Sequence, residues 1–126
     1  MKTAVRQVYD ILTESVLMKN VDIYTNSVPE TALTKPELPL ARVVELQGAY
    51  THSASNNPQD IVFYVQLDIW VDTLQEVDTY YFPVDELMRA NGWECTYTEQ
   101  ADDPDLQQAK RIIKRYSATL NLDIQL

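Results

Sequence analysis

The sequence predicts an α+β domain in which one mainly antiparallel sheet carries two helices packed on one face, with a long hairpin loop. Several segments alternate apolar and polar residues with the period of a β-strand, and the longest runs from Asp60 to Asp72. Two other segments repeat apolar residues with the period of an α-helix, from Lys2 to about Met18 and from Leu74 to Met88. A chain of 126 residues is long enough for one core and too short for two of ordinary size, so we expect a single domain, 1–126.

The stretch from Asp60 to Asp72 is expected to be the central strand. One of its faces is wholly apolar and carries Ile61, Phe63, Val65, Leu67, Ile69 and Val71. On the other face, Tyr64 and Trp70 each combine an apolar ring with a polar tip, which suits an interface with another protein. The alternative is that the helices cover this face.

The N-terminal third predicts a helix, a strand and a connecting arm. Thr3 is a candidate N-cap of the first helix, and the alternating residues from Val21 to Thr25 predict a short strand. The stretch from Val28 to Pro39 contains three prolines, which rules out regular strand pairing and predicts an arm. Connections of this length in a compact domain tend to be functional or disordered.

A second long strand is predicted from Leu40 to Tyr50, and it is expected to pair antiparallel with the central strand. Between them, Thr51 to Gln59 is polar, small and without periodicity, which is typical of a hairpin tip. Nine residues without a large aliphatic side chain bury too little apolar area to become ordered alone. We therefore expect a mobile tip that a neighbour orders, with an interface formed by His52, Asn56 and Asn57.

The second predicted helix begins with Thr73 and Glu76 spaced as a capping box and stops at Asn91 and Gly92. Because Pro83 lies inside it, we expect a break or kink near Tyr81 and Phe82.

Two further strands are predicted towards the C-terminus. In the first, Trp93, Cys95 and Tyr97 alternate with polar residues, so Cys95 is expected to face the core as a buried, inert thiol. Asp103 before Pro104 is typical of a helix start and predicts one or two helical turns, and a terminal strand is expected from Ile112 to the end.

The residues expected for common chemistry are scarce, so we expect no enzyme, no cofactor and no metal. His52, with Ser53 and Asp60 nearby, has the residue types of a hydrolase triad, but the sequence offers no buried acid to orient its ring. A single cysteine and a single histidine exclude an internal disulfide and a structural zinc site. The aspartates near Asp103 lack the spacing and glycine of a calcium-binding EF-hand. No apolar run approaches the roughly 20 residues of a membrane span, and no secretory signal is evident.

Charge is strongly segregated along the chain. The net charge of −9 argues against nucleic-acid binding, which needs clustered bases. Residues 51–109 hold twelve acids and one base, Arg89. Four of the ten bases follow together as Lys110, Arg111, Lys114 and Arg115. One interpretation is a solvated surface, and the sharper one is two complementary patches that meet between copies in an oligomer.

The chain as a whole resembles a known family. The features that carry the resemblance are the order of helices and strands, the strand ending Gln66 to Val71, the helix closing on Asn91-Gly92-Trp93, the Asp-rich turn at Asp102 to Leu106 and the strand entered through Lys114-Arg115-Tyr116. In these features the chain is similar to the tail-terminator and tail-completion (head-to-tail joining) proteins of long-tailed bacteriophages. This resemblance implies a non-enzymatic virion protein that assembles in the host cytoplasm and forms a ring of six subunits between the tail tube protein and the head-completion or connector protein.

In such a ring DNA passes through the lumen without specific binding, since an acidic wall repels phosphate. The acids expected to line the lumen are Asp68, Asp72, Glu94 and Asp102. The alternative function is a soluble α+β module that binds a protein partner or a ligand without catalysis.

Overall fold

The computed structural model describes residues 1–30, 32, 37–54, 57–106 and 108–122, without the side chains of residues 52–54 and 57–59. In chain order these residues form α1 (Ala4–Thr13), β1 (Asp22–Thr25), β2 (Leu40–Ala54), β3 (Asn57–Val71), α2 (Leu74–Ala90), β4 (Glu94–Asp103), a 3₁₀ turn (Pro104–Leu106) and β5 (Ala109–Asn121). The predicted α+β class and order of elements are confirmed. The arm predicted between Val28 and Pro39 and the last residues of the predicted terminal strand lie partly outside the described residues.

The five strands form one sheet in the order β1-β2-β3-β5-β4, so the predicted central strand does lie at the centre. Three of the four strand pairs are antiparallel, and β1 pairs parallel to β2. A parallel pair cannot be joined by a tight turn, which explains why a long connection follows β1. Strands β1 and β4 are the two edges of the sheet.

The main core lies on the face of the sheet that carries Val65, Leu67 and Ile69, here called the core face. Buried residues of both helices belong to the same cluster, including Val8 and Leu12 of α1 and, from α2, Val77, Tyr80, Val84 and Met88. The odd-numbered residues of β3 from Val65 to Val71 are all buried, so the apolar face that the alternation predicts is the face that meets the main core. The opposite side of the sheet is called here the Trp70 face.

Helix α2 begins as predicted but does not break. The Thr73 side chain accepts a hydrogen bond from the Glu76 N–H at 3.2 Å, as expected for the capping box. Pro83 lies within a continuous helix, so there is no break, and a kink at this point stays a prediction. The carbonyl left without a donor is that of Thr79, which is an exposed residue, so water can replace the missing partner.

Helix α1 is shorter than the apolar spacing predicts. Thr3 is its N-cap residue but makes no side-chain capping bond. The Ser15 hydroxyl donates to the Leu12 carbonyl at 2.7 Å and accepts from the Met18 N–H at 3.3 Å. Such local bonds compete with helix continuation, and the chain turns after Thr13 while Met18 still reaches the core.

The β2–β3 hairpin is longer than predicted. Its pairing runs as far as Ala54 opposite Asn57, so most of the stretch expected to form a loop is part of the ladder. Residues 55 and 56 lie outside the described part of the chain, and the predicted mobility of the tip stays a prediction. A register shift between Leu46 and Ala49 contains Gly48, where an added Cβ would lie 2.6 Å from the Val62 carbonyl oxygen.

Candidate functional site

Trp70 is covered by its own chain. Its side chain is on the Trp70 face, yet the residue is only 5% exposed, because Leu40, Leu106 and Ala109 pack around it. The indole N–H donates to the Asp103 carboxylate at 2.9 Å. Among the described residues, Trp70 is therefore neither free for an interface nor covered by α1 or α2, but is buried in a small second core.

Two arginines complete the cover of Trp70 and neutralise a buried acid. The guanidinium carbons of Arg42 and Arg111 lie 5.5 and 5.3 Å from the indole centroid, within the range of cation–π contact. Between them the Asp68 carboxylate is fully buried and accepts from Arg42 Nη2 at 2.9 Å and from Arg111 Nη2 at 2.8 Å. The prediction that Asp68 lines a lumen is wrong for this chain, since the carboxylate is buried and paired with two cations.

A second buried charge connects β5 to helix α2. The Lys114 side chain is fully buried, its ammonium lies 2.9 Å from the Asp85 carboxylate, and it also lies 3.7 Å from the centroid of the Tyr81 ring. The Tyr116 hydroxyl donates to the same carboxylate at 2.6 Å. Burial, and then the hydrogen bond to Asp85, raise the pKa of Tyr116 far above that of free tyrosine.

All four bases predicted to form an intermolecular patch have partners within the chain. Lys110 lies 2.7 Å from the Asp102 carboxylate, and Arg115 Nε donates to the Gln66 side-chain oxygen at 3.0 Å. Arg111 and Lys114 are in the two clusters just described. The segregated charges thus meet within the chain, across neighbouring strands and against α2, and Lys114 is buried. The predicted contact of these bases with acids of a second copy stays a prediction.

Cys95 is exposed, so its predicted place in the core is wrong. Trp93, just before β4, is the buried residue, and a register shift between Cys95 and Tyr97 interrupts the alternation on which the prediction rested. The thiol donates to the Tyr97 carbonyl at 3.3 Å. Local desolvation, followed by the nearby Asp85 charge, raises the pKa of Cys95, which disfavours the reactive thiolate.

The remaining predicted positions are distributed over the surface. Tyr64, Asp72 and Glu94 are exposed, and Asp102 is exposed but bonded to Lys110. The side chains of His52 and Asn57 and the whole of Asn56 lie outside the described residues. Among the described residues, the structure thus brings Trp70, Arg111 and Asp68 together in one buried cluster, whereas Tyr64, Asp72 and Glu94 are exposed.

A groove between α1 and β1 was not predicted. Two adjoining clefts, of about 370 and 520 Å³, share the lining residues Tyr9, Ile23 and Tyr24. Lys19 lines the first cleft and Arg6 the second. The groove runs beside the edge strand β1, and its position depends on where α1 packs, which the sequence does not encode in any local pattern.

In the part of the chain that the structure describes, no group of three His, Cys, Asp or Glu side chains is placed to hold a metal ion. Among the same residues, no helix has the length and apolar character needed to cross a membrane. The chain matches no protein-family model and no curated protein.

Proposed function

We propose that the chain is a structural subunit of a tailed phage particle, of the tail-terminator or tail-completion type. It acts as a homo-oligomeric ring at the head-proximal end of the tail, between the tail tube protein and the connector. The proposal is supported by the resemblance in element order and by the shape of the β2–β3 hairpin. The hairpin is the main structural observation in its favour.

The hairpin extends beyond the strands that flank it. Within the described residues, β1 pairs with β2 from Leu40 to Val43, and the pairing of β5 with β3 ends at Asp60. Residues 52–54 and 57–59 therefore extend past the last rungs that β1 and β5 share with the hairpin. An isolated two-stranded ladder is marginally stable at best in water, so a projecting one is suited to packing against a neighbouring molecule.

Tyr50 strengthens this interpretation. It lies at the stem of the projection, opposite Ile61, and is 67% exposed. A tyrosine gives a large contact area with a polar tip, and exposed aromatic residues are enriched where proteins associate. The hairpin thus offers both backbone and an aromatic anchor to a partner in the particle.

The surface charge is compatible with DNA passage. Asp72 and Glu94 remain exposed, and the proposed ring repels phosphate through such acids rather than binding it. The protein should therefore show negligible affinity for duplex DNA at physiological salt.

The second candidate function is a binding module for an extended peptide. The groove between α1 and the edge of β1 favours it, because an edge strand beside a helix is a common peptide-binding arrangement. A module of this kind would bind its peptide without any role in particle assembly.

Add-back to tails made without the protein separates the two functions. Electron microscopy should show tails of uncontrolled length, or tails unable to join heads, which the added protein corrects. A variant with residues 51–59 replaced by a short Gly-containing turn should keep nearly the same thermal stability, since the projecting two-stranded ladder that it removes is itself marginally stable at best, yet fail in add-back. Normal tails without the protein would reject the assembly role, and full activity of the shortened variant would reject the role of the hairpin.

A further inference from the structure

We infer that copies of this chain join head to tail through the two free edges of the sheet, with β4 of one copy lying as an added strand in the α1–β1 groove of the next. The inference rests on the proposed assembly role and names the two surfaces that produce it. Its support comes from backbone geometry, from side-chain charge and from the position of the edges.

Among the described residues, no hydrogen-bond partner is seen for the outward-facing N–H groups of β1. The N–H groups of Asp22 and Asn26 donate towards β2, to the carbonyls of Pro39 at 3.3 Å and Val43 at 2.7 Å. Because these groups alternate along a strand, the N–H groups of Ile23 and Thr25 point to the groove. The Thr25 carbonyl accepts a hydrogen bond from the Ser27 N–H. The N–H groups of Ile23 and Thr25 and the Ile23 carbonyl are then the groups that can pair with an added strand.

Strand β4 is the complementary edge. It is ten residues long, and its first seven residues are all exposed. A row of unpaired backbone groups of this length is a template for another strand. Its acids are Glu94, Glu99, Asp102 and Asp103. Two β4 edges would bring these acids against each other, so pairing of β4 with β4 is disfavoured.

The groove carries the opposite charge. Arg6 and Lys19 line it and are exposed, while its two acids are Asp10, which is ion-paired with Lys2, and Asp22. Because Lys2 neutralises Asp10, Arg6 and Lys19 face one remaining acid of the lining, Asp22. This small excess of positive charge complements β4, whose exposed acids include Glu94 and Glu99.

The two edges lie at opposite ends of the strand order, with three strands between them. A contact between different surfaces of identical subunits is heterologous, and it closes into a ring when the rotation between copies permits. We infer a second copy of this chain as the occupant of the groove, and not an unrelated peptide, because each copy supplies one groove and one β4 edge. In a closed ring every groove and every β4 edge is then paired.

Charge exchange tests the inference. The groove variant is Arg6→Glu with Lys19→Glu, and the edge variant is Glu94→Lys with Glu99→Lys. A matched control, Asp78→Lys with Glu86→Lys, makes the same charge change as the edge variant on exposed positions of α2. Sedimentation velocity at low salt should show concentration-dependent association of the unmodified protein and the control. Each variant alone should associate at least about tenfold more weakly, because like charges then face each other across the contact.

The decisive sample is an equimolar mixture of the two variants. The mixture should recover association, because the acidic groove of the groove variant now faces the basic edge of the edge variant. The unchanged edge of the groove variant and the unchanged groove of the edge variant are also complementary. Amide exchange should show the Ile23 and Thr25 N–H groups protected only in the associated state. Circular dichroism of each variant checks that the fold is intact.

Several results would overturn the inference: an unmodified protein that stays monomeric, a variant that associates normally, or a mixture that does not recover. A monomeric protein whose groove binds an acidic peptide would instead support the binding module. If association is lost and recovered as the charge exchange predicts, but the protein has no effect on tails, the proposed function is rejected and the inference stands. If tails need the protein but the charge exchange does not change its association, the inference is rejected and the proposed function stands.

Discussion

Replacing Lys114 by Met should strongly destabilise the fold. The ammonium is fully buried and lies 2.9 Å from the Asp85 carboxylate, so the substitution leaves a largely buried carboxylate without its cation. Removing one partner of a buried ion pair costs about 3–5 kcal/mol. We expect a value near 3 kcal/mol, because the Asp85 side chain is 16% exposed and keeps the Tyr116 hydroxyl as a donor.

The structure supplies a matched control for this substitution. Lys110 makes a bridge of similar length, 2.7 Å, to Asp102, but the Asp102 side chain is 61% exposed. Lys110→Met should cost no more than about 1 kcal/mol, as is usual for surface pairs. Replacing both Lys114 by Met and Asp85 by Leu should cost less than the sum of the two single changes, since no unpaired charge remains.

Urea denaturation followed by tryptophan fluorescence measures these differences, because both tryptophans are buried in the native state. Equal losses of stability for the Lys114 and Lys110 substitutions would refute the reasoning. So would strict additivity in the double variant, because it would show that the buried pair is not coupled.

Two further outcomes are expected. The raised pKa of Tyr116 means that the native state holds its hydroxyl proton more tightly than the unfolded chain does. The corresponding stability is complete below the unfolded pKa of about 10 and is lost as pH rises above it, so the urea midpoint should fall in alkaline solution and Tyr116→Phe should flatten that fall. Gly48→Ala should cost about 1–3 kcal/mol, since the new Cβ would lie 2.6 Å from a backbone oxygen and force the strands apart. Gln47→Ala, at the neighbouring exposed position, is the control, and equal midpoints for the two variants would contradict this steric reasoning.

The fold class follows from periodicity because burial acts on one face of each element. The alternation in β3 and the helical spacing in α2 both record which side meets the core, and no knowledge of the neighbours is needed to detect them. The capping box at Thr73 is equally local, so its hydrogen bond was also predictable.

The functional surfaces depend on which strands become neighbours. Asp68 lies opposite Arg42 in the register of β2 and β3, and Arg111 reaches it from β5, so a residue expected in a lumen is instead buried in an ion cluster. Cys95 lies in an edge strand whose first seven residues are all exposed, so its alternation with polar neighbours did not correspond to burial. The α1–β1 groove likewise exists only after α1 and β1 have packed.

Quantitative mass spectrometry of purified tailed particles, combined with labelling of this chain for electron microscopy, tests the assembly role most directly. The proposal predicts that the chain is present in the amount of a single ring per particle, with the label at the junction of head and tail. Complete, joined particles that lack the chain would contradict it.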